Sequence, residues 1–113
     1  MTVVTTLDVH GLTIAEYRAA LNALGVEDRP EAGIYQHIAT PIEDGFRIIE
    51  LWDSADGFNA FVERRMVPAL QSAGVDRPTD ITIMPLHNFF APRLDELPGL
   101  IDTLPGSRAA AVA

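Results

Sequence analysis

The chain has 113 residues, no cysteine, 48% hydrophobic side chains and a formal net charge of −8 from 8 basic and 16 acidic residues. That length suits one domain, and so apolar a composition excludes a disordered chain. The dispersed arginines offer nucleic acid no basic patch, the missing thiols exclude disulfides and thiolate metal sites, and no window approaches the roughly 18 apolar residues of a membrane span. The first ten residues lack the basic-then-apolar order of a secretory leader, and a cysteine-free chain fits a cytoplasmic address.

Residues 2–9 (TVVTTLDV) are β-branched and extended, which predicts a strand ended by His10-Gly11. Thr13 with Glu16 three positions on makes a capping box. Ile14, Tyr17, Leu21 and Leu24 then recur at helical spacing, and Gly25 suits a left-handed C-terminal residue. Asp28-Arg29-Pro30 is a loop. Residues 33–40 (GIYQHIAT) and 46–52 (FRIIELW) read as strands around a turn at Asp44-Gly45. Ser54 caps a second helix with Phe58, Phe61, Val62, Ala69 and Leu70 on one face, ended by Gly74; Pro68 inside it predicts a kink or break. Residues 80–90 (DITIMPLHNFF) read as a fourth strand, an edge or bulged one because of Pro85. The compact domain is expected over residues 1–91. Residues 92–113 form a C-terminal extension: one short docking helix built on Leu94, Leu97, Leu100 and Ile101, then about eight loose residues.

Strand-helix-strand occurs twice in this order. The expected fold class is α+β: a ferredoxin-like βαββαβ domain with a four-stranded antiparallel sheet. Two helices cover one face of such a sheet. Yet Phe46, Ile48 and Trp52 oppose Ile49 and Leu51, and Ile81, Ile83 and Phe89 oppose Met84, Leu86 and Phe90, so both faces read as apolar. Face-to-face pairing of two copies would bury the second face and make a homodimer.

Trp52, Ser54 and the run Ala55-Asp56-Gly57-Phe58-Asn59-Ala60-Phe61, followed by a final strand from Asp80, resemble the dimeric α+β barrel superfamily over roughly residues 1–90. The likeness is to antibiotic biosynthesis monooxygenase-like (ABM-like) proteins. The resemblance implies a dimeric α/β barrel with a pocket between sheet and helices. It also implies a small apolar or aromatic ligand and, for some members, oxygenation without a cofactor. Haem-degrading members place a histidine ligand where this chain has Phe61.

Within such a pocket the candidate catalytic residues are His37, His87, Arg65 and Glu50. His37 and His87 sit among apolar neighbours, where desolvation favours the neutral imidazole of a general base; either can equally be a hydrogen-bonded, inert histidine. Glu50 shares the Trp52 and Phe46 face, where burial would suit it to act as a base. Arg65 falls inside the apolar stripe of the second helix. It either clamps an enolate oxygen or pairs with Glu50 or Asp53. Tyr35, Trp52, Phe58, Phe61 and Asn88 are the candidate substrate-binding residues, with core packing as the alternative for Tyr35 and Trp52. No HxH or HxxxH spacing points to a metal, and no GxGxxG or phosphate-binding loop points to a nucleotide or flavin. The expected function is cofactor-independent oxygenation of an aromatic or polyketide-like molecule through an enolate. Cyclisation or isomerisation of the same substrate class, and non-catalytic ligand binding, are the alternatives.

Overall fold

The computed structural model describes residues 1–108. Strands β1 (Val3–His10), β2 (Ile34–Ile42), β3 (Gly45–Trp52) and β4 (Thr79–Pro85) form one antiparallel sheet in the order β2-β3-β1-β4. Helix α1 (Ile14–Leu24) crosses from β1 to β2. Helices α2 (Ala55–Phe61) and α3 (Val67–Ala73) cross from β3 to β4. This is the ferredoxin-like α+β plan expected from the element order.

Local chemistry fixes these boundaries. Thr13 and Glu16 form the reciprocal capping box of α1, with bonds of 3.1 and 3.0 Å. Gly25 ends α1 in the left-handed region at φ 66°. Ser54 caps α2 by accepting the Gly57 N–H at 3.0 Å. The break expected at Pro68 is a π-helical turn, Val62–Met66, in which the Val67 N–H reaches back to the Val62 carbonyl. A wider turn directly ahead of a proline lets the helix continue where the ring lacks a donor and crowds the preceding carbonyls. The β2–β3 connection is tight: Ile42 pairs with Gly45, which has φ 111°, and a Cβ there would stand 2.0 Å from the Val9 carbonyl oxygen.

The inner face of the sheet carries Val3, Thr5 and Leu7 on β1 and Phe46, Ile48, Glu50 and Trp52 on β3. Val3, Leu7, Trp52, Phe58 and Phe61 make the main core, and Leu12, Phe46 and Val75 a second cluster. Trp52 meets Phe58 edge-on at 5.8 Å and Phe61 at 5.3 Å.

Three expectations are corrected. The outer face is not apolar throughout. Val4, Ile38, Ile49, Leu51 and Met84 occupy one end, with Ile38 and Met84 exposed, while Asp8 and Arg47 (bonded at 2.7 and 2.9 Å) and His10 with Asp80 occupy the other. Strand β4 stops at Pro85, so Leu86 to Phe90 lie beyond the ladder. A proline on an edge strand donates no bond and ends the pairing. The helix expected in the extension exists as α4 (Leu97–Ile101), but it is not docked: Leu97, Leu100 and Ile101 remain exposed. The segment after β4 is tied down at its ends. The Leu86 N–H bonds the Thr2 carbonyl at 3.0 Å, Arg18 donates to the Gly106 carbonyl, and Arg108 pairs with Asp28 at 2.6 Å. Of the loose tail expected over about the last eight residues, Gly106 to Arg108 are therefore held, and residues 109–113 lie outside the described residues.

Candidate active site

Glu50 sits on a central strand, faces the helices and is buried. A carboxylate in that position needs partners. It has two: Trp52 donates its Nε1–H to Oε1 at 3.0 Å, and His37 Nδ1 lies 2.7 Å from Oε2. The ladder makes this meeting, because His37 is directly opposite Glu50 across β2 and β3. The other ring nitrogen, Nε2, lies 2.7 Å from the Tyr17 hydroxyl on α1. Tyr17 lies one turn after the Thr13 cap, whose carbonyl accepts its N–H at 2.9 Å, and stacks on Phe46 at 5.2 Å. The result is a single file of hydrogen bonds, Trp52–Glu50–His37–Tyr17. It runs from a buried carboxylate, with its side chain 8% exposed, to an imidazole 31% exposed at the sheet edge. Burial, more than any neighbouring charge, pushes the Tyr17 hydroxyl up to about 12, so it is a protonated donor at neutral pH.

A β-bulge decides which side chains join this file. Ile34 faces Trp52 and Gln36 faces Leu51, which leaves Tyr35 as the extra residue. Simple alternation puts Tyr35 on the His37 face; the bulge turns Ile34 inward in its place and leaves Tyr35 64% exposed. Thr5 lies opposite Glu50 on the other side, and its hydroxyl is buried with no hydrogen-bond partner among the described residues.

The remaining candidates lie elsewhere. Arg65 meets neither Glu50 nor Asp53. It donates to Glu31 at 2.8 Å and to the carbonyls of Leu24 and Arg29 at 2.8 and 2.9 Å, closing the C-terminal end of α1. Two clefts of about 420 and 230 Å³ meet at this guanidinium, the first along Leu24, Arg29 and Pro68, the second along Glu31, Phe61 and Arg64. His87 and Asn88 are exposed beyond β4. Trp52 and Phe58 are 1% exposed and Phe61 is 7% exposed, each packed into the core. Tyr17 is the member of the file that periodicity hid, since its spacing reads as core. Its signal was a phenol in an apolar stripe, which needs a partner for its hydroxyl.

Comparison with solved structures places this architecture. Rv0793 from Mycobacterium tuberculosis superposes with a TM-score of 0.58 at 16% identity, over 80% of this chain and 100% of that one. SnoaB, a cofactor-independent oxygenase from Streptomyces nogalater, gives 0.55 at 16% identity over 79% and 94%. A Streptomyces coelicolor monooxygenase in complex with nanaomycin D gives 0.52 at 18% identity over 80% and 90%. The chain shares the fold of these structures. No family model matches the sequence, and no curated protein matches it. Within this fold the helix-facing side of β3 carries Glu50 and Trp52, the root of the hydrogen-bonded file. Among the described residues no cluster of three or more His, Asp or Glu side chains is placed to hold a metal ion, and no helix is long and apolar enough to cross a membrane.

Proposed function

We propose that the chain is a small-molecule enzyme of the ABM-like type, acting without a cofactor on an aromatic or polyketide-like substrate. The observation that carries this is the buried Glu50 carboxylate bonded to His37, which fixes the imidazole's tautomer and stabilises the imidazolium formed when it gains a proton. Removing one proton from a CH₂ group beside a carbonyl leaves an enolate whose carbon keeps its second hydrogen. Dioxygen then oxidises that carbon: one oxygen atom becomes the new carbonyl and the other leaves as water. SnoaB acts as a cofactor-independent oxygenase in the same fold, which supports the oxygenase reading over cyclisation or isomerisation.

Oxygen uptake with anthrone-type and phenolic compounds tests it. Wild-type protein should consume O₂, and His37→Ala should lower kcat/KM on the order of 10²–10⁴-fold. Turnover unchanged in His37→Ala would refute the assignment. Product formed equally well under nitrogen would replace oxygenation by cyclisation or isomerisation. The working unit we propose is a homodimer joined through the apolar end of the outer sheet face, where Ile38 and Met84 are exposed. Sedimentation should show a dimer that Met84→Glu weakens, and a single subunit at micromolar concentration would exclude it.

A further inference from the structure

An imidazole has two nitrogens, and in this protein both are taken. Glu50 lies at Nδ1 and Tyr17 at Nε2, each at 2.7 Å. The direction of every bond in the file follows from its buried end. An indole N–H can only donate, so Glu50 Oε1 accepts from Trp52. Oε2 of the same carboxylate accepts Nδ1–H from His37, which leaves Nε2 with a lone pair. The Tyr17 O–H is the donor that meets it. All three donors point inward, toward the carboxylate.

Nothing outside this file occupies the phenol oxygen: among the described residues His37 is its one hydrogen-bond partner. A substrate proton can reach Nε2 only if Tyr17 is displaced, whereas the Tyr17 oxygen, half-buried at the outer end of the file, keeps acceptor capacity that no described residue takes. We propose that Tyr17, rather than His37, is the catalytic residue that touches the substrate, with His37 and Glu50 as the positioning pair behind it. The proposal rests on the enzymatic function argued above and names the group that performs its first step. The substrate C–H bond breaks and its electron pair stays on the substrate as the enolate. The proton bonds to the Tyr17 oxygen while the Tyr17 hydroxyl proton passes to Nε2. One imidazolium and one enolate result, and charge is conserved. A phenol with so high a pKa supplies no phenolate in advance, so the two transfers must be concerted. The fitting substrate class is a carbonyl compound whose α-C–H is acidified by an adjacent ring or second carbonyl, since the net acceptor of its proton is the His37 imidazole, a weak base.

Tyr17→Phe keeps the ring that stacks on Phe46 and removes only the oxygen. Its kcat should fall about 100-fold with KM little changed. Tyr17→Phe/His37→Ala should be no slower than the slower single variant, as expected of residues acting as one unit. Thermal unfolding of Tyr17→Phe should stay within a few degrees of wild type. Nitrogen-15 NMR of labelled histidine reads the bond direction without any substrate: His37 should carry its proton on Nδ1. A proton on Nε2 would overturn the proposal, because the phenol would then be accepting. Turnover lost in His37→Ala but retained or raised in Tyr17→Phe overturns the Tyr17 role and leaves the function proposed above standing. No turnover with any compound, or full turnover in both variants, overturns both.

Discussion

Glu50 and Arg65 are both charged side chains set among apolar neighbours, and their surroundings differ in kind. Around Arg65 the bonds close on themselves. One guanidinium serves one carboxylate and two carbonyls, all at the last residue of α1 or in the loop that follows it. Around Glu50 the bonds run in file, through an imidazole to a phenol with acceptor capacity left over. A closed knot satisfies its members and holds a helix end in place. An open file can pass a proton along. Burial of charge alone does not separate the two cases, whereas following each donor to its last acceptor does.

Variants at the two centres should separate them. The largest effect is expected for Glu50→Ala, which strips partners from both His37 and Trp52. Turnover should fall on the order of 10²–10⁴-fold, and a buried indole N–H left unpaired should cost about 1–3 kcal/mol in chemical denaturation. Arg65→Ala should cost about 2–3 kcal/mol of stability, since three acceptors lose a charged donor. Glu31→Gln should weaken the same knot by about 1 kcal/mol, with the turnover and pH profile of the folded protein unchanged; a shifted profile would show that the two centres communicate. Thr5→Val should raise stability by about 1 kcal/mol, because the buried hydroxyl has no partner to lose.

The smallest effect concerns a third, exposed centre. His10 bonds Asp80 at 2.7 Å and Asp44 at 3.3 Å, and these bonds, Asp80 first, raise its pKa above the ordinary 6.5. A raised folded-state pKa stabilises the protein fully below the unfolded value and loses that contribution as pH climbs through the folded one. Melting temperature should therefore sag modestly across this window, and Asp80→Asn should flatten the sag.

Much of this was legible in the residues. The capping box at Thr13, the left-handed glycines after both helical segments and the alternation in β3 placed the elements and put Glu50 on the inner face. His37 was legible as a candidate because it lies in a strand among apolar neighbours. The rest depends on long-range geometry. The bulge that expels Tyr35 is a register fault in an edge strand, at the end away from the tight turn before Gly45. The end of β4 at Pro85 took His87 and Asn88 out of the sheet, so the strand on which both were placed does not carry them. The partner of Arg65 is Glu31, which sits in a loop that no periodicity describes. Tyr17 reads as core from its spacing, and only the fold shows the histidine its hydroxyl bonds.

The strap formed by residues 86–108 bears on how the chain folds. Its far clasp, Arg108 to Asp28, joins positions 80 residues apart. Asp28 is in place only after α1 and its following loop have formed, so this clasp has to close late. With its apolar side chains still facing solvent, the strap is also held by little besides its ends. Its amides should exchange with deuterium well ahead of those in β1 and β3, as a separately opening unit at the rim of a cooperative core.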